Sequence, residues 1–171
     1  MMPSPTTRPL AAADLTALSA LHARVFGPGR FTRSAYRVRE GTPLISRFCR
    51  GTFRDGHLIA ALRMTEVVIG GNGAALLLGP LAVAPAFAGQ GFGRALIAET
   101  LETARTQGVR LVVLVGDLPY YGRFGFRPIP EGQIVLPGPV NPARLLAVEL
   151  EPGALAAYRG VVGKARLGNR E

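Results

Sequence analysis

Cysteine occurs once, at Cys49. No disulfide can close within the chain, and a lone thiol favours a reducing, cytoplasmic setting. Cys49 sits in an apolar/polar alternation and reads as a strand residue rather than a nucleophile. Lysine is as scarce: Lys164 stands alone, and arginine carries nearly all the positive charge. Aromatic residues make up 7% of the chain and do not interleave with the arginines, which argues against a nucleic-acid-binding surface. No apolar run reaches the ~18 residues of a membrane span. The opening MMPSPTTRPL is broken by prolines and lacks the apolar centre of a signal peptide. Histidine, cysteine and carboxylates nowhere cluster at metal-ligand spacing. Neither a G-x-S-x-G elbow nor a phosphate-binding GK[ST] stretch occurs. These absences predict no nucleic acid, no membrane and no metal.

What is present describes a globular chain. Its 171 residues, 48% hydrophobic and 18% charged, predict one domain over 1–171 with a core that needs no staple. The net charge of +9 comes from scattered arginines with one local cluster at 33–39. A solvated surface is the first reading of that charge, and an anionic cofactor or substrate the second.

Leu15, Leu18, Leu21 and Val25 recur at helical spacing behind Asp14, which predicts a capped helix closed by Gly27-Pro28-Gly29. Thr32 opens a short basic helix through Glu40. Residues 45–53 and 58–69 read as strands joined at Asp55-Gly56, and Gly70-Gly71-Asn72-Gly73 is a second turn. Residues 74–83 form a strand apolar on both faces and therefore central. A helix runs from the following glycines to about Gln107, with Ile97, Leu101 and Ala104 inward and Gly108 as its C-terminal cap. Residues 110–115 are a buried strand. Strand, helix and strand in that order make a right-handed crossover, so these two strands run parallel. A short helix at 119–124, a strand at 144–150 and a weakly helical stretch at 155–158 follow.

The stretch LLGPLAVAPAFAGQGFGRALIAETL carries the chemistry. Pro80 has no N–H for a strand ladder, which predicts a bulge or a place where the neighbouring strand has diverged. Backbone groups of Leu81, Ala82 and Val83 then lack a partner, at a cost of roughly 1–3 kcal/mol per buried group. An extended ligand carrying amides would pair with them like an added strand. Immediately downstream, Gly89, Gly91 and Gly93 open a helix, where bare backbone and the helix dipole favour an anion. A slot for amides that ends at a phosphate cradle has the shape of coenzyme A. Tight packing of a glycine-rich turn is the alternative. The dinucleotide fingerprint G-x-G-x-x-G fails in both registers, at Arg94 and at Leu96.

A second cluster, PYYGRFGF at 119–126, follows the parallel strand. Its helix hangs over the open strand ends, within reach of the slot. Phe124 and Phe126 read as core, and Tyr120 is open to the same reading. Taken together, L-A-V-A-P, G-Q-G-F-G, a helix, a short strand and Y-G-R-F-G-F resemble the GNAT superfamily of acetyl-CoA-dependent N-acetyltransferases, and the spelling is most similar to the YhbS-like subgroup. The resemblance implies an α/β (α+β) fold: a mixed, mostly antiparallel central sheet with one parallel βαβ crossover and helices on both faces. It maps the pyrophosphate loop onto Ala88, Gly89, Gln90, Gly91, Phe92 and Gly93, with backbone amides through Arg94. Ala88 stands where the family has arginine or glutamine, which implies weaker coenzyme binding. The coenzyme-pairing strand maps onto Leu81, Ala82 and Val83. The family's tyrosine, four residues before Gly-Phe, falls on Tyr121 as general acid.

The implied reaction is direct attack of a primary amine on acetyl-CoA in a ternary complex. A non-catalytic acyl-CoA sensor is the alternative. Glu66 on the preceding strand is the candidate base, ahead of Glu40, with a water chain as the other route. His22 and His57 are isolated. The helix at 33–40 and the segment after Phe126 are expected to build the acceptor pocket; Tyr36, Arg37 and Arg39 read first as a solvated helix surface and second as a preference for an acidic acceptor. Monomer and homodimer are equally open.

Overall fold

The structure, a computed structural model, describes residues 4–27 and 45–165. The expected helix over 32–40, with Tyr36, Arg37, Arg39 and Glu40, lies outside the described residues.

The longest strand organises the sheet. His57–Ile69 (β3) turns at Gly70 and Gly71 into Asn72–Val83 (β4), and the two pair antiparallel from Ile69↔Asn72 to Ala60↔Val83. Asp55 and Gly56, both at positive φ, fold Arg50–Arg54 (β2) back onto the first half of β3. Thr6–Pro9 (β1) pairs with β2. Beyond the start of β2, whose Arg50 pairs with Leu62, Gly160–Lys164 (β9) takes over and pairs with Val67, Val68 and Ile69 of β3. Leu111–Val115 (β5) runs parallel to β4, and Leu145–Glu149 (β8) runs antiparallel to β5. Arg127–Pro128 (β6) pairs beyond β8, and Ile134–Val135 (β7) pairs with β9. The order is β1-β2-β3-β4-β5-β8-β6. The sheet is therefore mixed and mostly antiparallel, with the β4–β5 crossover expected from the sequence.

Side-chain alternation assigns each strand residue to a face. Leu62, Met64, Leu76, Val112 and Leu114 meet Leu96, Ile97 and Ala104 of the helix Phe92–Thr106 (α2). Ala61 and Ala82 meet Leu18 and Leu21 of the helix Leu15–Phe26 (α1) on the other face. Leu77, Leu111 and Val113 point to that same face, into a second cluster built with Ile129, Ile134 and Tyr158. Burying one Leu or Ile contributes on the order of 1.5–3 kcal/mol, so both faces are covered for the same reason.

Two local expectations are corrected. The strand expected over 45–53 begins only at Arg50. Cys49 lies before it, in a turn closed by Cys49 N–H donating to the Ser46 carbonyl (3.1 Å), and Ser46 Oγ is spent on the Met64 carbonyl at 2.5 Å. The Asp14 side chain does not cap α1 either. It accepts from the backbone N–H of Ala11 (2.7 Å) and from both terminal nitrogens of Arg8 (2.8 and 2.9 Å). The sequence spacing was right about the helix and silent about which donors the carboxylate prefers.

The Arg8 hydrogen bonds, then the Ala11 N–H, lower the Asp14 carboxyl from 3.8 to about 2. Because the folded value is depressed, the pair's stabilisation is present above pH 3.8 and is lost as pH falls towards 2. In Asp14→Asn, the thermal midpoint should fall less steeply than wild type across that window. At Gly70, φ is +56° and an added Cβ would lie 1.8 Å from the Arg159 carbonyl oxygen. Gly70→Ala should therefore lower the unfolding free energy by at least ~2 kcal/mol, read from the urea midpoint.

Candidate active site

The parallel pairing between β4 and β5 covers only Ala75↔Leu111, Leu76↔Val112 and Leu77↔Val113. Beyond Leu77, β4 continues to Val83 on β3 alone, while β5 continues to Val115 on β8 alone. The two strands have separated. On β4 the register against β3 shifts between Met64↔Leu78 and Leu62↔Leu81, so Gly79 and Pro80 together oppose Arg63. This is a bulge at the proline, as expected. Leu81, Ala82 and Val83 follow it, paired with Leu62, Ala61 and Ala60 on one side and with no strand on the other among the described residues.

The chain leaves β4 through a single 3-10 turn, Pro85–Phe87, and enters α2 at Phe92. Ala88, Gly89 and Gln90 are exposed between them. Gly89 and Gly91 have φ of 75° and 86°, and a Cβ at either would meet nothing within 4 Å. The loop is thus open space over a helix N-terminus. The Gly91 carbonyl accepts the Ala95 N–H (3.0 Å), while the first-turn N–H groups of Phe92, Gly93 and Arg94 precede any intrahelical partner. Gly93 is different. A Cβ there would lie 3.3 Å from Leu81 Cδ2, 3.3 Å from Tyr120 Oη and 3.5 Å from Val83 Cγ2. Bare backbone at Gly93 lets helix, splayed strand and Tyr120 converge.

The second cluster forms one helical turn, Leu118–Tyr121 (α3), continued by a 3-10 turn over Gly122–Phe124. Asp117 holds the N-cap position just after β5 without a side-chain cap bond: its carbonyl accepts the N–H groups of Tyr120 and Tyr121 (3.2 and 3.0 Å), and its carboxylate lies 3.4 Å from Arg144 Nε. Tyr121 packs edge-on against Tyr120 (4.9 Å between ring centroids) and Phe126 (5.9 Å). Its ring lies over Gly116, where a Cβ would be only 2.5 Å from Cε2. Burial, helped by Tyr120 and Asp117 and partly offset by Arg144, pushes the Tyr121 hydroxyl up to about 12. Tyr121 therefore keeps its proton throughout the neutral range. The sequence left Tyr120 open to a core reading. Its ring does join the core, but its hydroxyl sits over Gly93 at the mouth of the cleft. Adjacent residues on one helical turn point in different directions, and sequence alone does not say which direction faces the slot.

Glu66 is placed elsewhere. It pairs with Leu76, one residue short of the last parallel pair, and lies 3.5 Å from Arg47 Nε. With Arg47, Gln107 and Gly108 it lines a cavity beside the C-terminal end of α2. The glycine loop is at the other end of that helix, about 22 Å away for a helix of 15 residues. The structure does not bring Glu66 to Tyr121. His22 stacks beside Phe26 on α1, and His57 is exposed at the β2–β3 turn. Among the described residues no His/Cys/Asp/Glu group could hold a metal, and no helix is long and apolar enough to cross a membrane.

Comparison with known proteins places this geometry. The family model for the acetyltransferase (GNAT) domain matches residues 6–129. The GNAT N-acetyltransferase YhbS of Escherichia coli, solved in complex with CoA, superposes with a TM-score of 0.80 at 25% identity, covering 97% of this chain and 96% of that one. A GNAT acetyltransferase of Brucella melitensis, solved with acetyl-CoA, gives a TM-score of 0.71 at 25% identity over 95% and 97%. An uncharacterized N-acetyltransferase of Escherichia coli K12, YjhQ, is 42% identical over 52 residues, which span 30% of this chain and 29% of that protein. With the family model covering both the splayed strands and the glycine loop, the chain belongs to the GNAT family of acetyltransferases.

Proposed function

We propose that the chain is a single acetyltransferase domain that moves an acetyl group from acetyl-CoA to a primary amine, by direct attack within a ternary complex. The observation that carries this reading is the separation of β4 from β5 beyond Leu77, continuous with the open loop at Gly89–Gly91. The residues present fit the coenzyme. The free edge of Leu81, Ala82 and Val83 suits the amides of a pantetheine arm, and the loop and first-turn N–H groups from Gly89 to Arg94 suit a pyrophosphate. That CoA and acetyl-CoA are bound by YhbS and by the Brucella protein supports the same choice.

When bound, acetyl-CoA supplies a thioester carbonyl and a thiolate leaving group. The chain supplies the rest. A main-chain N–H of Leu81 or Ala82 at the bulge donates to the carbonyl oxygen as charge develops there, a contribution worth roughly 10²–10³ in rate. Tyr121 donates its proton to the departing sulfur. A free thiol titrates near ~8.5, well below this phenol, but the apolar surroundings that raise Tyr121 penalise a thiolate in the same cleft and narrow the difference. Proton loss from the incoming ammonium runs through water, the second route expected from the sequence, because the first-choice carboxylate, Glu66, lies beside Arg47 at the far end of α2. A cytoplasmic setting agrees with the buried free thiol of Cys49.

Calorimetry with acetyl-CoA, followed by turnover against a panel of amines, tests the reading. Coenzyme binding with acetyl transfer supports an enzyme; binding with no transfer to any amine favours an acyl-CoA sensor; no binding refutes both. For the acid, Tyr121→Phe should lower kcat at least ~10-fold with coenzyme affinity nearly unchanged. Because burial raises this hydroxyl, the alkaline fall of kcat in the wild type should lie above pH 10, towards 12, and be absent in the variant. An unaltered rate removes Tyr121 from the role.

A further inference from the structure

The first position of the glycine loop is Ala88, whose methyl group can neither brace the loop nor contact a phosphate. A cation nevertheless reaches this end of the cleft from another element. Arg54 is the last residue of β2, and alternation along β2 puts it on the same face as α2. Its guanidinium carbon lies 5.3 Å from the centroid of Phe87 and 5.8 Å from that of Phe92. Those two rings meet edge-on, 6.1 Å apart, and flank the loop on either side. Both distances are within the range of cation–π attraction. Arg54 Nε is buried with no hydrogen-bond partner, and no carboxylate among the described residues pairs with the side chain.

Nε is shut away from solvent and from any ligand, whereas no ion pair among the described residues occupies the terminal nitrogens, which are left for an acceptor that arrives with the ligand. The other Arg interactions around the sheet are already spent: Arg8 on Asp14, Arg47 on Glu66, Arg110 on Glu151 and Arg144 on Asp117. Arg8, Arg47 and Arg110 also lie over aromatic rings, but each has a carboxylate as well; Arg54 has its two rings, no carboxylate among the described residues, and a helix N-terminus beside it. Contact with two rings restrains the guanidinium without using its hydrogen-bonding groups.

We propose that Arg54 is a coenzyme-binding residue that replaces, from the β2–β3 hairpin, the side chain missing at Ala88, and that its guanidinium meets the pyrophosphate at the start of α2. The proposal rests on the acetyl-CoA reading above. It also accounts for the Phe87–Phe92 pair, which holds the arginine and both ends of the loop at once.

The test is calorimetric titration of CoA and of dephospho-CoA into wild type, Arg54→Met and Arg54→Lys. Methionine keeps an apolar stem against the rings and removes the charge. Arg54→Met should weaken both ligands by ~10-fold, and Arg54→Lys by less than ~3-fold. The loss should shrink towards one at ~1 M salt, where charges are screened within about 3 Å; a purely structural role would not respond to salt. Ala88→Arg added to Arg54→Met should return affinity to within ~3-fold of wild type. If wild type binds no CoA, the acetyl-CoA reading has failed. If wild type binds and Arg54→Met binds CoA equally well, or loses affinity for CoA but not for dephospho-CoA, the assignment of Arg54 to the pyrophosphate is overturned.

Discussion

A β-strand needs a partner on each side or something else to satisfy its peptide groups. β4 keeps β3 on one side throughout and loses β5 on the other after Leu77. The bulge at Gly79 and Pro80 bends the strand at the point of separation, so the two parallel strands cannot close again below it. Everything proposed for the cleft depends on that one interruption. It leaves the free edge at Leu81 to Val83, it aims the exit from β4 at the glycine loop, and it makes room for α3 at the end of β5.

The two chemical ends of the cleft are built by opposite means. At the loop, open space is preserved: positive φ at Gly89 and Gly91 turns the backbone outward, and no side chain intrudes. At α3, space is filled: Tyr121 is pressed between Tyr120, Phe126 and the bare Cα of Gly116. The open end is electropositive and suits an anion. The filled end is poorly solvated, and burial there keeps the Tyr121 hydroxyl protonated. Gly93 joins them: a Cβ there would crowd Leu81 and the Tyr120 hydroxyl at 3.3 Å, so bare backbone lets α2 meet them without displacing either.

Some features were legible in the residues themselves. Period-two alternation and the turn at Asp55-Gly56 gave the meander, the inward positions Ile97 and Ala104 gave α2, and Pro80 gave the bulge. These depend on local sterics and on burial, which short windows report. Other features were not legible. β1, β6, β7 and β9 are strands of two to five residues whose pairing comes from distant segments, and their own sequences carry little alternation. Cys49 had the pattern of a strand, yet Ser46 holds it in a turn through a contact with Met64 on another strand. Glu66 was a fair guess from its place on the preceding strand, but strand position does not say which end of a crossing helix a side chain meets.

The sequence by itself determined the kind of site: glycines at a helix start need bare backbone, a proline in a central strand breaks its ladder, and these hold whatever surrounds them. Tertiary structure decided which side chains lie beside it and which do not. It turned the Tyr120 hydroxyl to Gly93, buried Tyr121, sent Glu66 to the far end of α2 and brought Arg54 to the rings of Phe87 and Phe92. The demands of a glycine or a proline on its own backbone are local, whereas the meeting of side chains, like the pairing of the short strands, is set by how distant segments pack, and that is decided only when the whole chain has folded.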